Sequence, residues 1–233
     1  KSQITGNLPL IGRIGLVYFA SPKGKVLSEM TMTRVAENDY LLMTGAGAYW
    51  HDRDLLNASL PENKSISIAD VTRDFATLLV TGPKSPAILA AVTSQTTSTE
   101  DFPWLSHQKV RIAGTEVTAI RVSYAGEAGF ELHCKMSDVV SVYDSVLAAG
   151  EAHQLRHFGM LALDSMRLEK GYRSWKADLT SDYTMLESGL GRWVNFNKED
   201  FVGRAALQSE SRAGSGREFV TLILDDPEDD GPF

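Results

Sequence analysis

The first part of the chain alternates short apolar runs with turn residues. Two runs with an alternating apolar pattern, 13–19 and 26–33, flank the turn Ser21-Pro22-Lys23-Gly24-Lys25. This alternation is typical of half-buried strands, and Pro and Gly between two such runs favour a hairpin. The same reasoning predicts further strands at 40–44, 65–71, 75–81, 109–112, 115–123, 130–134, 192–196 and 219–224.

Helices are predicted where apolar residues recur every three or four positions. Ser85 is a candidate cap for one helix, and Ser137 with Asp138 for another. Segment 158–170 has apolar residues on more than one face and ends at Gly171, so we expect a mostly buried helix. The predicted helices span 48–58, 86–92, 139–153, 158–170 and 203–208. Hairpins with segregated helices indicate an α+β fold.

The composition is that of an ordinary globular protein. The 233 residues are 43% apolar and 23% charged, which excludes a fibrous or disordered chain and fits one large domain or two small ones. The 30 acidic residues outnumber the 23 basic ones, and this argues against nucleic acid as the main partner. The apolar runs are too short to cross a membrane, and the lone Cys134 excludes an internal disulfide and a cysteine-based zinc site.

Two generic motifs favour structural interpretations. Gly45-x-Gly47 after a predicted strand has the outline of a dinucleotide fingerprint, but Trp50 occupies its third glycine position, so a strand-to-helix turn is favoured. His153 and His157 have the spacing of two metal ligands on one helix, yet a helix break is predicted before Gly159 and no Glu follows His153. No metal site is predicted.

Charged residues in two segments need an explanation. In the strand after the turn at 124–129, alternation places Glu131 and His133 on one face, which taken alone makes Glu131 an exposed strand residue. On the helix predicted to be buried, Asp164 and Arg167 need partners and can pair with each other at i,i+3. A structural ion pair is at least as well supported there as contact with a ligand. The acidic run at 225–230 is expected to be solvated.

Five segments in a fixed order resemble a known family. They are 74–83, 123–132, 164–175, 186–191 and 201–207, with the sequences DFATLLVTGP, SYAGEAGFEL, DSMRLEKGYRSW, LESGLG and FVGRAAL. The chain resembles the tetrahydrofolate-binding aminomethyltransferase family of the glycine cleavage T-protein. Residues 167–175 are most similar to the folate domain of dimethylglycine dehydrogenases, dimethylglycine oxidases and sarcosine dehydrogenases.

The resemblance implies a GcvT-like folate-binding fold of hairpin-rich sheets with packed helices. Residues 1–212 correspond to the aminomethyltransferase folate-binding domain without its N-terminal segment, and 213–233 to the truncated start of a C-terminal β-barrel. We therefore expect a chain truncated at both ends. Dimethylglycine dehydrogenases also carry an N-terminal FAD domain, so FAD is expected only if such an oxidase domain lies upstream.

The resemblance also implies a binding site. A pterin ring presents its N3–H and 2-amino group side by side, and a carboxylate accepts both hydrogen bonds as it accepts a guanidinium. The family pattern gives this role to Glu131. Tyr124 and Trp175 correspond to aromatic residues of the folate cavity, and Tyr18 is a candidate for a further aromatic wall.

The implied catalytic residue is Glu29. T-protein-like enzymes have a carboxylate in a Gly-Gly-hydrophobic-x-x-Asp segment, and Glu29 occupies that position in segment 24–29, where Asp is usual. The extra methylene moves the carboxylate by over about 1 Å, which matters when geometry controls the rate. Leu163 also replaces an arginine of T-proteins, so recognition of the folate tail is expected to differ.

We therefore expect tetrahydrofolate-dependent transfer of a one-carbon unit from an N-methyl or aminomethyl amine, giving 5,10-methylenetetrahydrofolate. The expected partners are folate, a small amine and a fused or associated flavin oxidase domain, without nucleic acid or membrane. The expected location is the cytoplasm, or the mitochondrial matrix in a eukaryote.

Two alternative functions stay open. They are a folate-binding module without transfer chemistry, like the iron–sulfur assembly relatives, and a dinucleotide-binding oxidoreductase. The first is disfavoured because 170–175 lacks the Lys-Gly-Cys segment of those relatives.

Overall fold

The computed structural model describes residues 1–223 and Asp225, which form two antiparallel sheets and five α-helices. The strands are β1 (Ile14–Ala20), β2 (Val26–Arg34), β3 (Tyr40–Met43), β4 (Phe75–Thr81), β5 (His107–Ile112), β6 (Thr115–Ile120) and β7 (Gly129–Lys135). The helices are α1 (Tyr49–Ala58), α2 (Ser85–Val92), α3 (Val139–Glu151), α4 (Met160–Glu169) and α5 (Arg204–Ala213). Within these described residues, no helix is both long and apolar enough to span a membrane.

The first sheet has the order β1-β2-β3. Its β1–β2 hairpin confirms the prediction from the alternating pattern, and the third strand also lies where expected. The antiparallel register places Tyr18 directly opposite Glu29, so the two side chains are cross-strand neighbours on one face.

The second sheet has the order β4-β7-β6-β5, which makes β7 a central strand. Phe130, Leu132 and Cys134 on β7 are fully buried in the larger core, with α2 and α3 packed on the same face. The predicted alternation is therefore confirmed, since Glu131 and His133 lie on the opposite face. Alternation of this kind positions a carboxylate on a rigid strand whose other side is anchored by the core.

Three predicted strands are absent from the described residues. Segments 65–71 and 192–196 lack strand pairing, as does 219–223, and Leu224 lies outside the described residues. Extended backbone becomes a strand only when its N–H and C=O groups join a ladder. Ile66 and Ile68 are 59% and 43% exposed, so alternation was misleading where no neighbouring strand supplies such a ladder. Gly191–Trp193 instead forms a 3₁₀ turn. Apart from Asp225, the acidic run 225–230 also lies outside the described residues.

The expectation that α4 is mostly buried is wrong. Leu161 is 90% exposed and Met160 is 77% exposed, whereas Arg167 is the buried residue of the helix. The apolar content of the segment indicated burial, but no other described element covers this face. The expected end at Gly171 is confirmed, because this residue has a φ of +66° and its N–H bonds back to Leu168.

Two expected helix caps have other roles. Ser85 is already inside α2, and its hydroxyl donates to the carbonyl of Ala128 at 3.0 Å. Asp138 makes no side-chain cap to α3, because its carboxylate accepts from the Thr115 hydroxyl at 2.6 Å. The Ser85 side chain therefore binds the turn before β7, and the Asp138 side chain binds β6, rather than capping a helix.

Candidate functional site

Glu29 and Tyr18 form a buried pair across the β1–β2 hairpin. Tyr18 is 2% exposed, and its hydroxyl donates a hydrogen bond to Oε2 of Glu29. Burial raises the pKa of Glu29, and the hydrogen bond from Tyr18 opposes this change. Burial and the adjacent carboxylate raise the pKa of Tyr18, so the tyrosine keeps its proton. The Tyr18 hydroxyl therefore holds Glu29 in a partly enclosed position, where its carboxyl group can take up or release a proton.

Tyr124 lies beside the loop that carries Trp175. Its hydroxyl donates to the carbonyl of Arg173 at 2.9 Å, and its ring stacks on Tyr172 with 6.1 Å between centroids. Burial raises the pKa of Tyr124, and the negative charge of Glu29 acts in the same direction. The Tyr124 hydroxyl therefore keeps its proton and acts as the donor in this contact.

Trp175 packs against the buried cluster that includes Tyr18. Its indole Nε1 is buried and has no hydrogen-bond partner among residues 1–223 and 225. A buried donor without an acceptor is costly, so this N–H is available to an acceptor supplied from outside the protein.

A buried arginine anchors the loop before and after Trp175. Arg167 is 3% exposed, and its guanidinium donates to Asp164 at 2.7 Å, to Asp178 and to the carbonyl of Tyr172 at 3.0 Å. The pairing of Asp164 with Arg167 is confirmed as a structural ion pair. Asp178 was not anticipated, since only the folded loop brings it back to the helix.

Glu131 is half-buried near the start of β7. Its Oε2 lies 3.1 Å from Nε2 of His133, and Nδ1 of His133 lies 2.9 Å from the Thr77 hydroxyl on β4. The register places Glu131 between Leu79 and Ile120 on the neighbouring strands. The side chain is 30% exposed, so it is more enclosed than the strand pattern alone suggests.

A buried carboxylate that binds the strand residue before Glu29 was not predicted from the sequence. Asp52 on α1 is 1% exposed and accepts from Ser28 at 2.6 Å, from Thr44 and, in the tautomer with Nδ1–H, from His51 at 2.8 Å. These bonds tie the strand residue that precedes Glu29 to the helix after the glycine turn. The sequence signal was the Asp in the first turn of that helix.

The five predicted site residues are brought together in part. Tyr18 and Glu29 are in contact, and Trp175 packs against the cluster that includes Tyr18. Tyr124 bonds to residue 173 in the loop that carries Trp175, and within the described part of the chain no hydrogen bond joins Glu131 to the other four. A cavity of about 370 Å³ lies between β4, α3 and residues 155–160, and none of the five lines it. The predicted binding residues therefore do not coincide with this cavity.

One histidine of the pair considered for metal binding, His157, contacts a tyrosine instead. Nε2 of His157 lies 2.8 Å from the Tyr143 hydroxyl, and the two rings stack. Over residues 1–223 and 225, no group of three or more His, Cys, Asp or Glu side chains is arranged to hold a metal ion.

Comparisons with known proteins agree with this architecture. The family model described as the GCVT N-terminal domain matches residues 4–198. Human mitochondrial dimethylglycine dehydrogenase is 33% identical over 228 residues, which cover 96% of this chain and 26% of that protein. Human mitochondrial sarcosine dehydrogenase is 37% identical over 220 residues, which cover 88% of this chain and 24% of that protein. The chain thus spans about a quarter of these relatives.

Two bacterial proteins extend the similarity. An aminomethyltransferase of Saccharopolyspora erythraea is 32% identical over 219 residues, covering 92% of this chain and 58% of that protein. The crystal structure of glycine cleavage system aminomethyltransferase T from Bartonella henselae matches with a TM-score of 0.76 at 23% identity, over 91% of this chain and 57% of that chain. The predicted α+β, GcvT-like fold is confirmed by this structural match.

Proposed function

The chain belongs to the GCVT N-terminal domain family, and from this premise we propose that it binds tetrahydrofolate and transfers a one-carbon unit to it. The observation that carries the proposal is the half-buried Glu131 carboxylate. Its Oε2 is engaged by His133, and its Oε1 has no hydrogen-bond partner among the described residues. A carboxylate with a free edge on a central strand suits a ligand that presents two adjacent N–H donors.

The residues around the site fit such a ligand. A pterin ring has donors for Glu131, ring nitrogens or carbonyl oxygens that can accept from the unpartnered Trp175 Nε1, and a flat face that suits the aromatic ring of Tyr124. We assign Glu131 to binding of the pterin edge, and Tyr124, Trp175 and Tyr18 to the walls around the ring. The polar and aromatic groups required by the ligand are thus present on this chain.

Glu29 carries the proton transfer in this proposal. An associated flavin oxidase first removes two electrons from an N-methyl amine to give its iminium, which can release formaldehyde. The nitrogen nucleophiles of tetrahydrofolate capture the iminium carbon or the formaldehyde, giving 5,10-methylenetetrahydrofolate, a demethylated amine and the proton of the attacking N–H. Glu29 orients the attacking N–H and accepts its proton, and Tyr18 keeps the carboxylate in place by its hydrogen bond. A general base in this position contributes about two to four powers of ten to the rate.

Substrate and context follow from the relatives. The proposed carbon source is an N-methyl amine of the dimethylglycine or sarcosine type after its oxidation to the iminium, or a glycine-derived aminomethyl group, which is already at that oxidation level. Relatives named for dimethylglycine, sarcosine and aminomethyl transfer align over most of the chain. Residues 1–212 are assigned to the folate domain and 213–233 to the start of a barrel domain. FAD is a cofactor only if a flavin oxidase domain is fused or associated. The mitochondrial relatives support a location in the matrix if the chain is eukaryotic, and otherwise the proposed location is the cytoplasm.

The first test measures binding of 5-formyltetrahydrofolate, a stable reduced folate, by titration calorimetry. Glu131→Gln replaces one acceptor oxygen with an NH₂ donor, so the edge can no longer accept an N–H at each end, and we expect affinity to fall at least about 10-fold. Glu116→Gln on the neighbouring strand is the matched control, because Glu116 is exposed and pairs only with Lys109, and it leaves affinity unchanged. Equal affinity of the Glu131→Gln variant and the unaltered chain would refute the pterin assignment.

The second test separates binding from transfer. Glu29→Gln removes the base but keeps the shape, so we expect unchanged folate affinity and a rate of 5,10-methylenetetrahydrofolate formation from formaldehyde that is about 100-fold lower than for the unaltered chain. Glu29→Asp restores the base at a shorter reach and recovers part of the rate. If Glu29→Gln leaves the rate unchanged, Glu29 is not the base.

A further inference from the structure

His133 is the residue that contacts Glu131 inside the protein. It lies two positions further along β7 on the same face, and it is 8% exposed. The register places it between Thr77 on β4 and Thr118 on β6. The opposite face of the strand is held by the fully buried Leu132 and Cys134, so His133 stands on backbone that cannot shift easily.

The hydrogen bonds determine which nitrogen of His133 carries the proton. An ionised carboxylate only accepts, so the contact of 3.1 Å with Glu131 requires a proton on Nε2. In the neutral ring Nδ1 is then an acceptor, and the Thr77 hydroxyl at 2.9 Å is its donor. The carboxylate thus fixes the direction of the bond at Nε2, and in the neutral ring this fixes the direction of the bond at Nδ1.

This chain of bonds leaves one side of the carboxylate free. Glu131 Oε2 receives one N–H from His133 and retains a second lone pair, whereas Oε1 has both lone pairs available. A ligand with two parallel N–H donors can therefore bind both oxygens without displacing His133. The histidine fixes the rotation of the carboxylate about its last bond, which otherwise costs entropy when the ligand binds.

We propose that His133 is a positioning residue that orients Glu131 for a ligand with two adjacent N–H donors, with Thr77 setting the histidine tautomer. This inference rests on the proposed folate function and names the determinant of selectivity within that site. A histidine that only filled space would affect the stability of the fold and all ligands equally. A positioning residue affects ligands with two donors more than ligands with one.

The test uses two ligands and three variants. The ligands are 5-formyltetrahydrofolate and its 2-desamino-2-methyl analogue, which lacks one of the two donors. His133→Met removes the N–H at similar volume, His133→Gln keeps an N–H donor near the position of Nε2, and Thr77→Val removes the hydroxyl that fixes the tautomer. Melting temperatures identify any variant that is not folded.

We expect His133→Met to weaken binding of the two-donor ligand by about 10-fold and binding of the one-donor analogue by less than about 3-fold. His133→Gln recovers most of the loss, and Thr77→Val gives a smaller loss with the same selectivity. In the Glu131→Gln background, His133→Met has no further effect, because the residue acts through the carboxylate. Equal losses for the two ligands, or full additivity with Glu131→Gln, overturn the proposal.

Different experimental outcomes would show that the positioning role of His133 is wrong and that the proposed folate function is wrong. If the unaltered chain binds and Glu131→Gln does not, but His133→Met keeps full affinity and selectivity, only the positioning role is wrong. If the unaltered chain binds no reduced folate, the proposed function fails and the selectivity role falls with it. Long-range ¹H–¹⁵N spectra of the ligand-free chain test the contact directly: His133 is expected as the Nε2–H tautomer, and detection of the Nδ1–H tautomer overturns the proposal.

Discussion

Glu29 shows how the surroundings of one residue determine its proton affinity. Its burial beside Tyr18 raises the pKa of the carboxyl group above the ordinary value of 4.5. The hairpin register explains the contact, since cross-strand pairs lie on one face. The hairpin could be predicted from the two alternating runs and the turn between them. The pairing of residues 18 and 29 could not, because it depends on a register shift between Phe19 and Ala20. The roles of His133 and Asp178 could not be predicted either, because their contacts depend on how separate segments pack.

The raised pKa of Glu29 predicts a specific dependence of stability on pH. At a pH below the pKa that Glu29 has in the unfolded chain, the group is protonated in both states and does not affect the free energy of unfolding. As the pH rises through the pKa that it has in the folded chain, the free energy of unfolding falls, because the enclosed group must ionise. Glu29→Gln removes this loss, so its melting temperature relative to the unaltered chain is expected to rise from about pH 4 to about pH 7.

Glu116→Gln is the control of opposite sign for this prediction. The hydrogen bond from Lys109 lowers the pKa of Glu116, so its small contribution is present at neutral pH and is lost as pH falls. Thermal unfolding at several pH values compares the two variants. A difference for Glu29→Gln that stays constant with pH would contradict the burial of an ionisable group at this position.

At the scale of helices and strands, local patterns predicted an element best where a second element pairs with it or covers its apolar face. The hairpins at β1–β2 and β5–β6 lie close to where alternation and turn residues placed them. Segment 65–71 alternates just as well but has no adjoining strand, and α4 is apolar yet exposed. Alternation and apolar content describe a side chain's preference, whereas strand formation and burial depend on a partner elsewhere in the chain.

The start of α5 depends on close packing against the β1–β2 turn. Gly203 has a φ of +87°, and a Cβ there would lie 2.4 Å from the carbonyl oxygen of Ser21. Gly214 at the other end has nearly the same φ, +86°, but nothing within 4 Å of its Cβ position. Gly214→Ala is expected to cost about 1 kcal/mol of unfolding free energy from backbone strain alone. Gly203→Ala is expected to cost more than about 3 kcal/mol, since the backbone must also move.

Urea unfolding of both glycine variants measures these two costs. Both positions have a positive φ, but ψ is 0° at Gly203 and 142° at Gly214, and the clash with the turn is found only at Gly203. Equal losses in the two variants would show that the contact between α5 and the turn is loose.

At the scale of the whole molecule, Lys198 joins the beginning of the chain to its last third. Its ammonium donates to the carbonyls of Lys1, Ile4 and Gly6, and Thr5 bonds to the carbonyl of Trp193 at 2.9 Å. Three acceptors match the three donors of an ammonium group. This contact links segments almost two hundred residues apart and lies beyond any local sequence pattern.

Lys198→Met is therefore expected to lower the unfolding free energy by about 2 kcal/mol, because charged donors are lost and carbonyls are left unpaired. Lys23→Met in the exposed β1–β2 turn is the control and is expected to change it by less than about 0.5 kcal/mol. Hydrogen exchange adds a local readout, since amides near residue 5 should lose protection only in the Lys198 variant. Unchanged protection there would show that the chain start is held by its other contacts.

The single cysteine of the chain, Cys134, has no exposed surface and lies in the centre of the larger core, where burial raises the pKa of its thiol. A thiol-specific reagent can therefore reach it only after the sheet and the helices that cover it separate. The labelling rate therefore reports how often the core opens, and no cysteine has to be introduced for the measurement. A cysteine introduced at the surface can likewise be tagged selectively while the folded interior stays unmodified.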